Sequence, residues 1–341
     1  MILLLAGIAV LALVEFVVNR VLAPQVGPPA LLAAFEPHLL ALGGVCGALA
    51  LLLTISERTT RASRIRVIAI AVMVVALVRV GGEWWSPGDD PARGEPLSTE
   101  TRLAIMSWNL EVDSKTPQDV LDGILEVRQP RRPQVVALQE LTPDVAEALE
   151  THDEIDERYP YRILRPREGV LGMGLLSSIP LVEGDSGVHP MFLGAGILMP
   201  DGSRLDIVNG HPLPPKIASI AGVPSGLDTR QRDLDLGYLR NALDRAPDPE
   251  RVLLVGDLNT TPSEPGFGIV ADGLQDLHAE VASGTGFTWR PAFLERLNAG
   301  LLRIDHVLAG AALQPVAIAE DCSLPGDHCR VTAVVDVPDA D

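Results

Sequence analysis

The chain of 341 residues is long enough for one or two domains, and its formal net charge of -18 sets the first limit on partners. An acidic surface repels phosphate backbones, so avid binding to long nucleic acid is not expected, although local basic patches remain open. Apolar residues are crowded into the first part of the chain, which separates a hydrophobic anchor from an acidic remainder.

Positions 1–85 hold three apolar runs: Met1 to Val18, Ala30 to Ile55, and Val67 to Val78 with Trp84 and Trp85 just beyond. A helical crossing takes about 20 apolar residues, so the runs predict three transmembrane helices. A cleaved signal peptide fits poorly, because no basic residue precedes the first run and two more runs follow. Arg58, Arg61, Arg64 and Arg66 lie between the second and third runs, whereas the first loop has only Arg20 at its edge. Positive charge stays inside. The amino terminus is therefore expected in the cytoplasm and everything after Val80 outside, a multi-pass protein of the cell membrane with an extracytoplasmic domain. Glu15, Glu36 and His38 fall in or beside the runs and are read as helix-end or bundle-interior groups.

Residues 86–101 are rich in Pro, Gly and charge with no apolar period, which predicts a linker. The outer domain is expected over 102–341. Leu103 to Trp108 reads as a strand ending at Asn109, Pro117 to Val127 as a helix, and Val135 to Leu138 as a buried strand ending in Gln139 and Glu140. A helix over Asp144 to Glu150 follows, then short strands at Tyr161 to Leu164, Gly172 to Ser177, Gly196 to Met199 and Arg204 to Val208. The last leads into Asn209-Gly210-His211-Pro212, a stiff loop that presents a histidine. Leu236, Leu239 and Leu243 mark the buried face of a helix over Asp228 to Arg245.

Val252 to Val255 is a buried strand closed by Gly256, with Asp257 and Asn259 on alternate positions behind it. A carboxylate beside a neutral donor suits hydrolysis, as general base and as partner of a developing anion. Leu302 to Leu308 places Asp305 inside a strand, where a carboxylate needs a partner. Asp327-His328 precedes a terminal strand over Val331 to Val337, and Asp305 orienting His328 while Asp327 faces a metal would explain both. Glu140 at a strand tip suits a hard cation. Cys46 reads as a packing residue; Cys322 and Cys329 are close enough in sequence to pair, with the pairing left open.

In this order, Trp108-Asn109, Gln139-Glu140, Gly172 to Pro180, His211, Gly256-Asp257-Leu258-Asn259, Arg303-Ile304-Asp305-His306 and Asp327-His328 resemble the endonuclease/exonuclease/phosphatase family of DNase I-like, metal-dependent phosphohydrolases. The resemblance implies a four-layer α/β sandwich, two sheets packed face to face with the site on their shared strand tips. It implies that Glu140, Asn109 and Asp327 bind Mg²⁺, with Mn²⁺ as the alternative. It also implies that Asp257 orients or deprotonates the attacking water, that Asn259, His211 and His328 contact phosphoryl oxygens, and that Asp305 braces His328. Gly326, where the family often has Ser, and Cys329-Arg330-Val331 depart from the pattern in the loop that aims His328. With its apolar runs and His-Pro-Leu-Pro-Pro loop the chain looks most like the membrane-anchored, VanJ-like branch, associated with glycopeptide resistance and lipid-linked phosphates. The resulting expectation is an extracytoplasmic, Mg²⁺-dependent phosphohydrolase acting on a phosphoester or pyrophosphate of a lipid-linked substrate such as a polyprenyl carrier. A membrane-tethered nuclease is the alternative, and a non-catalytic receptor would have lost Glu140, Asp257 or His328.

Overall fold

The computed structural model describes residues 1–84, 102–112, 114–127, 134–184, 189–295 and 300–338. The linker expected over 86–101 lies outside them. The apolar runs form helices α1 (Ile2–Leu22), α2 (Pro28–Ala34), α3 (Glu36–Thr54) and α4 (Thr60–Trp84), with a two-residue strand β1 (Val26–Gly27) between the first two. Prolines at the starts of α2 and α3 fit the first turn, where an N–H has no helical partner.

This bundle is packed through small residues. A Cβ on Gly43 would lie 2.6 Å from that of Ala12, so α1 and α3 meet only because glycine stands there. The large side chains point outward instead: Leu4, Leu11, Val45, Leu52, Val67 and Leu77 are all exposed. Two helices among the described residues, α1 and α3, are long and apolar enough to cross a membrane, not the three expected. In α4 the charges Arg66 and Arg79 leave only residues 67–78 between them. That is about 18 Å of helix at 1.5 Å per residue, against about 30 Å of hydrocarbon.

The second part of the chain is built on two six-stranded sheets face to face. In chain order its strands are β2 (Arg102–Asn109), β3 (Val135–Gln139), β4 (Tyr161–Arg165), β5 (Met173–Ser177), β6 (Leu181–Glu183), β7 (Phe192–Leu198), β8 (Arg204–Gly210), β9 (Lys216–Ile220), β10 (Val223–Asp228), β11 (Val252–Asp257), β12 (Gln275–Asp276), β13 (Asp305–Ala309), β14 (Gln314–Asp321) and β15 (Arg330–Asp336). One sheet runs β14-β15-β2-β3-β5-β4, the other β12-β13-β11-β8-β7-β6, and β9 and β10 stand apart in a three-stranded sheet of order β1-β10-β9. Leu103, Ile105, Val135, Leu175, Ile207, Leu253, Val255 and Val307 fill the space between them. Helices α5 (Pro117–Leu125), α6 (Pro143–Thr151) and α7 (Asp153–Arg158) cover the first sheet, and α8 (Arg230–Leu243) covers the second. The expected sandwich is thus present as a mixed α/β fold with two open sheets. Asp305 opens its strand rather than sitting inside it, and the stretch between His211 and α8, with no strand expected, forms the β9–β10 ribbon.

The two parts also touch each other directly. Strand β1 pairs with the end of β10, Val26 opposite Asp228 and Gly27 opposite Leu227. Asn19 Nδ2 donates to the Ser263 carbonyl at 2.8 Å, and Gln25 Nε2 to Asp233 at 2.8 Å. Behind them the fully buried Arg232 uses its whole fork: Nε and Nη2 on Asp233, Nη1 on Glu264 and on the Asn259 carbonyl.

Candidate active site

The adjacent tips of β2, β3, β8, β11 and β13 converge at one end of the sandwich. Asp257 and Asp305 are directly opposite in the antiparallel β11–β13 pair, so both carboxylates leave the same face. Gly256 makes this possible, because β11 runs so close to β8 that a Cβ there would lie 2.0 Å from the Gly210 carbonyl oxygen. Two carboxylates at this spacing repel, and the site answers with imidazole. His328 Nδ1 lies 3.0 Å from Asp305 Oδ2, leaving Nε2 facing Asp257 Oδ2 at 3.6 Å. His211 Nδ1 is fixed on the Val170 carbonyl, which turns its Nε2 toward Asp257 and Glu140, 3.6 Å from each.

Amide groups tie the carboxylates together. Asn109 Nδ2 donates to Asp257 at 2.9 Å and to Glu140 at 3.2 Å, and the Val112 N–H donates to Glu140 at 2.9 Å. Asn259 donates to Asp257 from its backbone at 2.9 Å and from its side chain at 3.3 Å. Glu111, Glu140 and Asn259 all have positive φ, a backbone strain held by this network and concentrated at the site.

Burial pushes the Asp257 carboxyl up to about 6; His328 and His211 counter it, while Asp305 adds to it. Burial alone would depress His328, but Asp305 and Asp257 outweigh it and hold the imidazolium up to about 10. Desolvation also raises Asp327. One site therefore holds a poised carboxylate and a fixed cation, the pairing that hydrolysis at phosphorus uses.

Every residue expected from the sequence is found here. Glu140, Asn109, His211, Asp257, Asn259 and His328 form one connected cluster, with Asp305 behind His328. Asp327 sits at its rim, Oδ1 lying 3.9 Å from His328 Nε2. Three neighbours were not foreseen. Trp289 donates its indole N–H to Asp327 at 3.0 Å; Glu111 accepts from the Asp327 N–H at 3.0 Å and donates its own N–H to Asn109 Oδ1. Arg290 binds the carbonyls of Cys322, Leu324 and Gly326, and a Cys322–Cys329 disulfide closes the same loop. His306 turns away from its neighbour Asp305, as alternation along a strand requires, and binds the Thr260 carbonyl.

The donors suit a divalent cation. Asp257, Asp305 and His328 bring ligand-type atoms within 4.8 Å of one another, but an imidazolium braced on Asp305 has no lone pair for an ion, so the donors are the carboxylate oxygens gathered around the ring. Asp327 Oδ1 is buried without a hydrogen-bond partner, and carboxylate oxygens predominate, as a hard ion prefers.

Fold and site together define a metal-dependent phosphoesterase. The profile of the Endonuclease/Exonuclease/phosphatase family matches residues 106–328, and the chain belongs to that family. No curated protein sequence matches it. Among solved structures, D. rerio TDP2 complexed with single-strand DNA product is similar at 19% identity, over 70% of this chain and 100% of that one, with a TM-score of 0.52. An AP endonuclease from Leishmania major is similar at 15% identity, over 75% and 93% of the two chains, with a TM-score of 0.53. These likenesses are of fold. They nevertheless overturn the expectation that nucleic acid is not avidly bound: the same scaffold holds a DNA product in the first of them. Binding responds to the local potential of a site, and charge summed over a whole chain is no ground for exclusion.

Proposed function

We propose that the chain is a phosphodiesterase held at the outer face of the cell membrane, acting on nucleic acid. The observation that carries this reading is the convergence of Asp257, His328, His211 and Glu140 on one point at the strand tips. In it, Asp257 orients the attacking water and takes its proton. Asn259 and His328 donate to the non-bridging oxygens of the phosphoryl group, His211 does so from Nε2 in its doubly protonated form because Nδ1 is committed to the Val170 carbonyl, and Asp305 keeps His328 protonated and aimed. Glu140, with Asn109 and Asp327, would hold Mg²⁺ or Mn²⁺, which when bound supplies charge neutralisation at phosphorus. The likeness of fold to TDP2 complexed with single-strand DNA product favours a nucleic-acid diester over other phosphates.

The membrane placement rests on α1 and α3, which are long and apolar enough, and on arginines gathered between α3 and α4. Helix α4 completes the anchor as a third crossing, with Arg66 and Arg79 extending toward the two interfaces. A second reading, a lipid-linked phosphate or pyrophosphate as in the VanJ-like branch, is favoured by one specific observation. The anchor is hydrogen-bonded to the loop that follows Asn259, which keeps the site beside the bilayer.

The deciding experiment uses the full chain in lipid vesicles with Mg²⁺, offered single- and double-stranded oligonucleotides and a polyprenyl pyrophosphate, with Asp257→Asn as control. Oligonucleotide cleavage that the control loses is the expected result. Turnover of the lipid pyrophosphate alone would replace this reading with the second, and no turnover of either would end both.

A further inference from the structure

The ribbon of β9 and β10 is out of keeping with the domain that carries it. Ile220, Val223 and Ile217 are 73%, 65% and 64% exposed, the highest values for large apolar side chains among the described residues after 101. Comparable exposure recurs in the anchor, where Leu11 is 69% and Val67 68% exposed. Ile220 and Val223 are directly paired and share one face; Ile217, opposite Leu227, shares the other. A ribbon apolar on both faces is unfavourable in water, and β9 is also a free sheet edge.

Three further observations say what covers it. The ribbon is continuous with the anchor: β1 pairs with β10, and Leu227 packs on Ala30 and Ala34 of α2. The rim of that junction is apolar too, with Val26 and Leu32 exposed. And residues 212–227 contain no carboxylate but carry Lys216 at the ribbon's base, in a chain of net charge -18. This is the stretch that an anionic membrane surface would not repel.

We propose that the β9–β10 ribbon is a second membrane contact, its apolar tip seated in the headgroup and acyl boundary beside the anchor. The proposal rests on the membrane placement above but not on the substrate. Seating is shallow, because the unpaired edge of β9 needs water or headgroups for its backbone. The consequence for the site is orientation. His211 lies five residues before the ribbon, and the intervening Pro212 carbonyl accepts from Asn259, so the ribbon and the anchor fix the catalytic crevice relative to the bilayer from two sides.

The test is lipid quenching in the full chain, reconstituted in phosphatidylcholine–phosphatidylglycerol vesicles. An environment-sensitive fluorophore is attached at Ile220→Cys or Val223→Cys, Cys46 being buried and Cys322 and Cys329 disulfide-bonded. Leu11→Cys reports the anchor, and Asp201→Cys, exposed at the opposite end of β8, is the aqueous control. The expected result is quenching at 220 and 223 by nitroxide lipids, strongest for a shallow nitroxide at about 5–10 Å depth, with none at 201. Quenching at 11 but not at 220 or 223 would overturn the proposal and leave the membrane placement standing. Quenching at none of them would remove both. Burial of the 220 label that persists in detergent and scales with protein concentration would assign the ribbon to a second copy of the chain, and so would also overturn the proposal.

Discussion

Two buried polar clusters lie side by side in this molecule, and they are built on opposite principles. Around Arg232 every charge has found its partner: the guanidinium spans Asp233, Glu264 and a backbone carbonyl, and Gln25 of the anchor completes Asp233. Around Asp257 the carboxylates outnumber what faces them. Asp257 and Asp305 share a register, imidazoles stand 3.6 Å from Asp257, and the backbone at Glu140 and Asn259 is left-handed. Saturation marks a joint; unspent charge held by strain marks a site.

That contrast is broken most severely at its active end. Asp257→Asn keeps the shape, removes the base, and is expected to lower kcat by about 10³-fold. The melting temperature should hold or rise, since a buried charge has been removed. A melting temperature that fell while kcat stayed would reverse the assignment of the two clusters. Arg232→Met should do the opposite. Stranding two buried carboxylates is expected to cost about 3–5 kcal/mol in a denaturant titration, with a smaller loss of kcat per folded molecule than Asp257→Asn.

Asp305→Asn sharpens the comparison within the site. An imidazolium without its carboxylate loses aim and proton, so kcat should fall about 10²-fold, and the alkaline limb should move down from the region near 10 where His328 now titrates. An unmoved alkaline limb would separate Asp305 from His328. Cys322→Ser opens a loop whose ends are seven residues apart and should reduce stability by about 2–3 kcal/mol. The smallest effect is on the acid side. Asp257 acts as a base only when ionised, so activity should be lost as pH falls through about 6, where burial places its carboxyl. Added Mg²⁺ should shift that limb downward, because a bound cation favours the ionised form. A limb indifferent to Mg²⁺ would place the ion away from Asp257.

The sandwich was legible because each strand of the two sheets' centre is a short aliphatic run ending in a polar residue, as in Val252 to Asp257 and Val135 to Glu140. The site was legible for the same reason, since a polar tip on a buried strand has few purposes. What escaped notice depends on distance in the chain. Trp289 and Glu111 reach Asp327 from remote segments, and no local pattern in either announces a partner. The β9–β10 ribbon was missed because Pro214, Pro215 and Pro224 read as a loop, while its strands are held together across the turn and by two residues of the anchor. The third apolar run reads like the other two by composition, which does not register that Arg66 and Arg79 leave only residues 67–78 between them. Nucleic acid was discounted because a summed charge was made to speak for a local surface.

The strand contributed by Val26 and Gly27 carries one last consequence. It gives the two-sheet domain a clasp on the helical bundle independent of the peptide that leads from one to the other. Cleavage of the chain between residues 85 and 101 would leave two fragments still paired through β1 and β10, so separating them would require pulling apart a sheet as well as cutting the backbone. The same clasp offers a route to reassembly, in which halves produced separately find each other by strand exchange at β10.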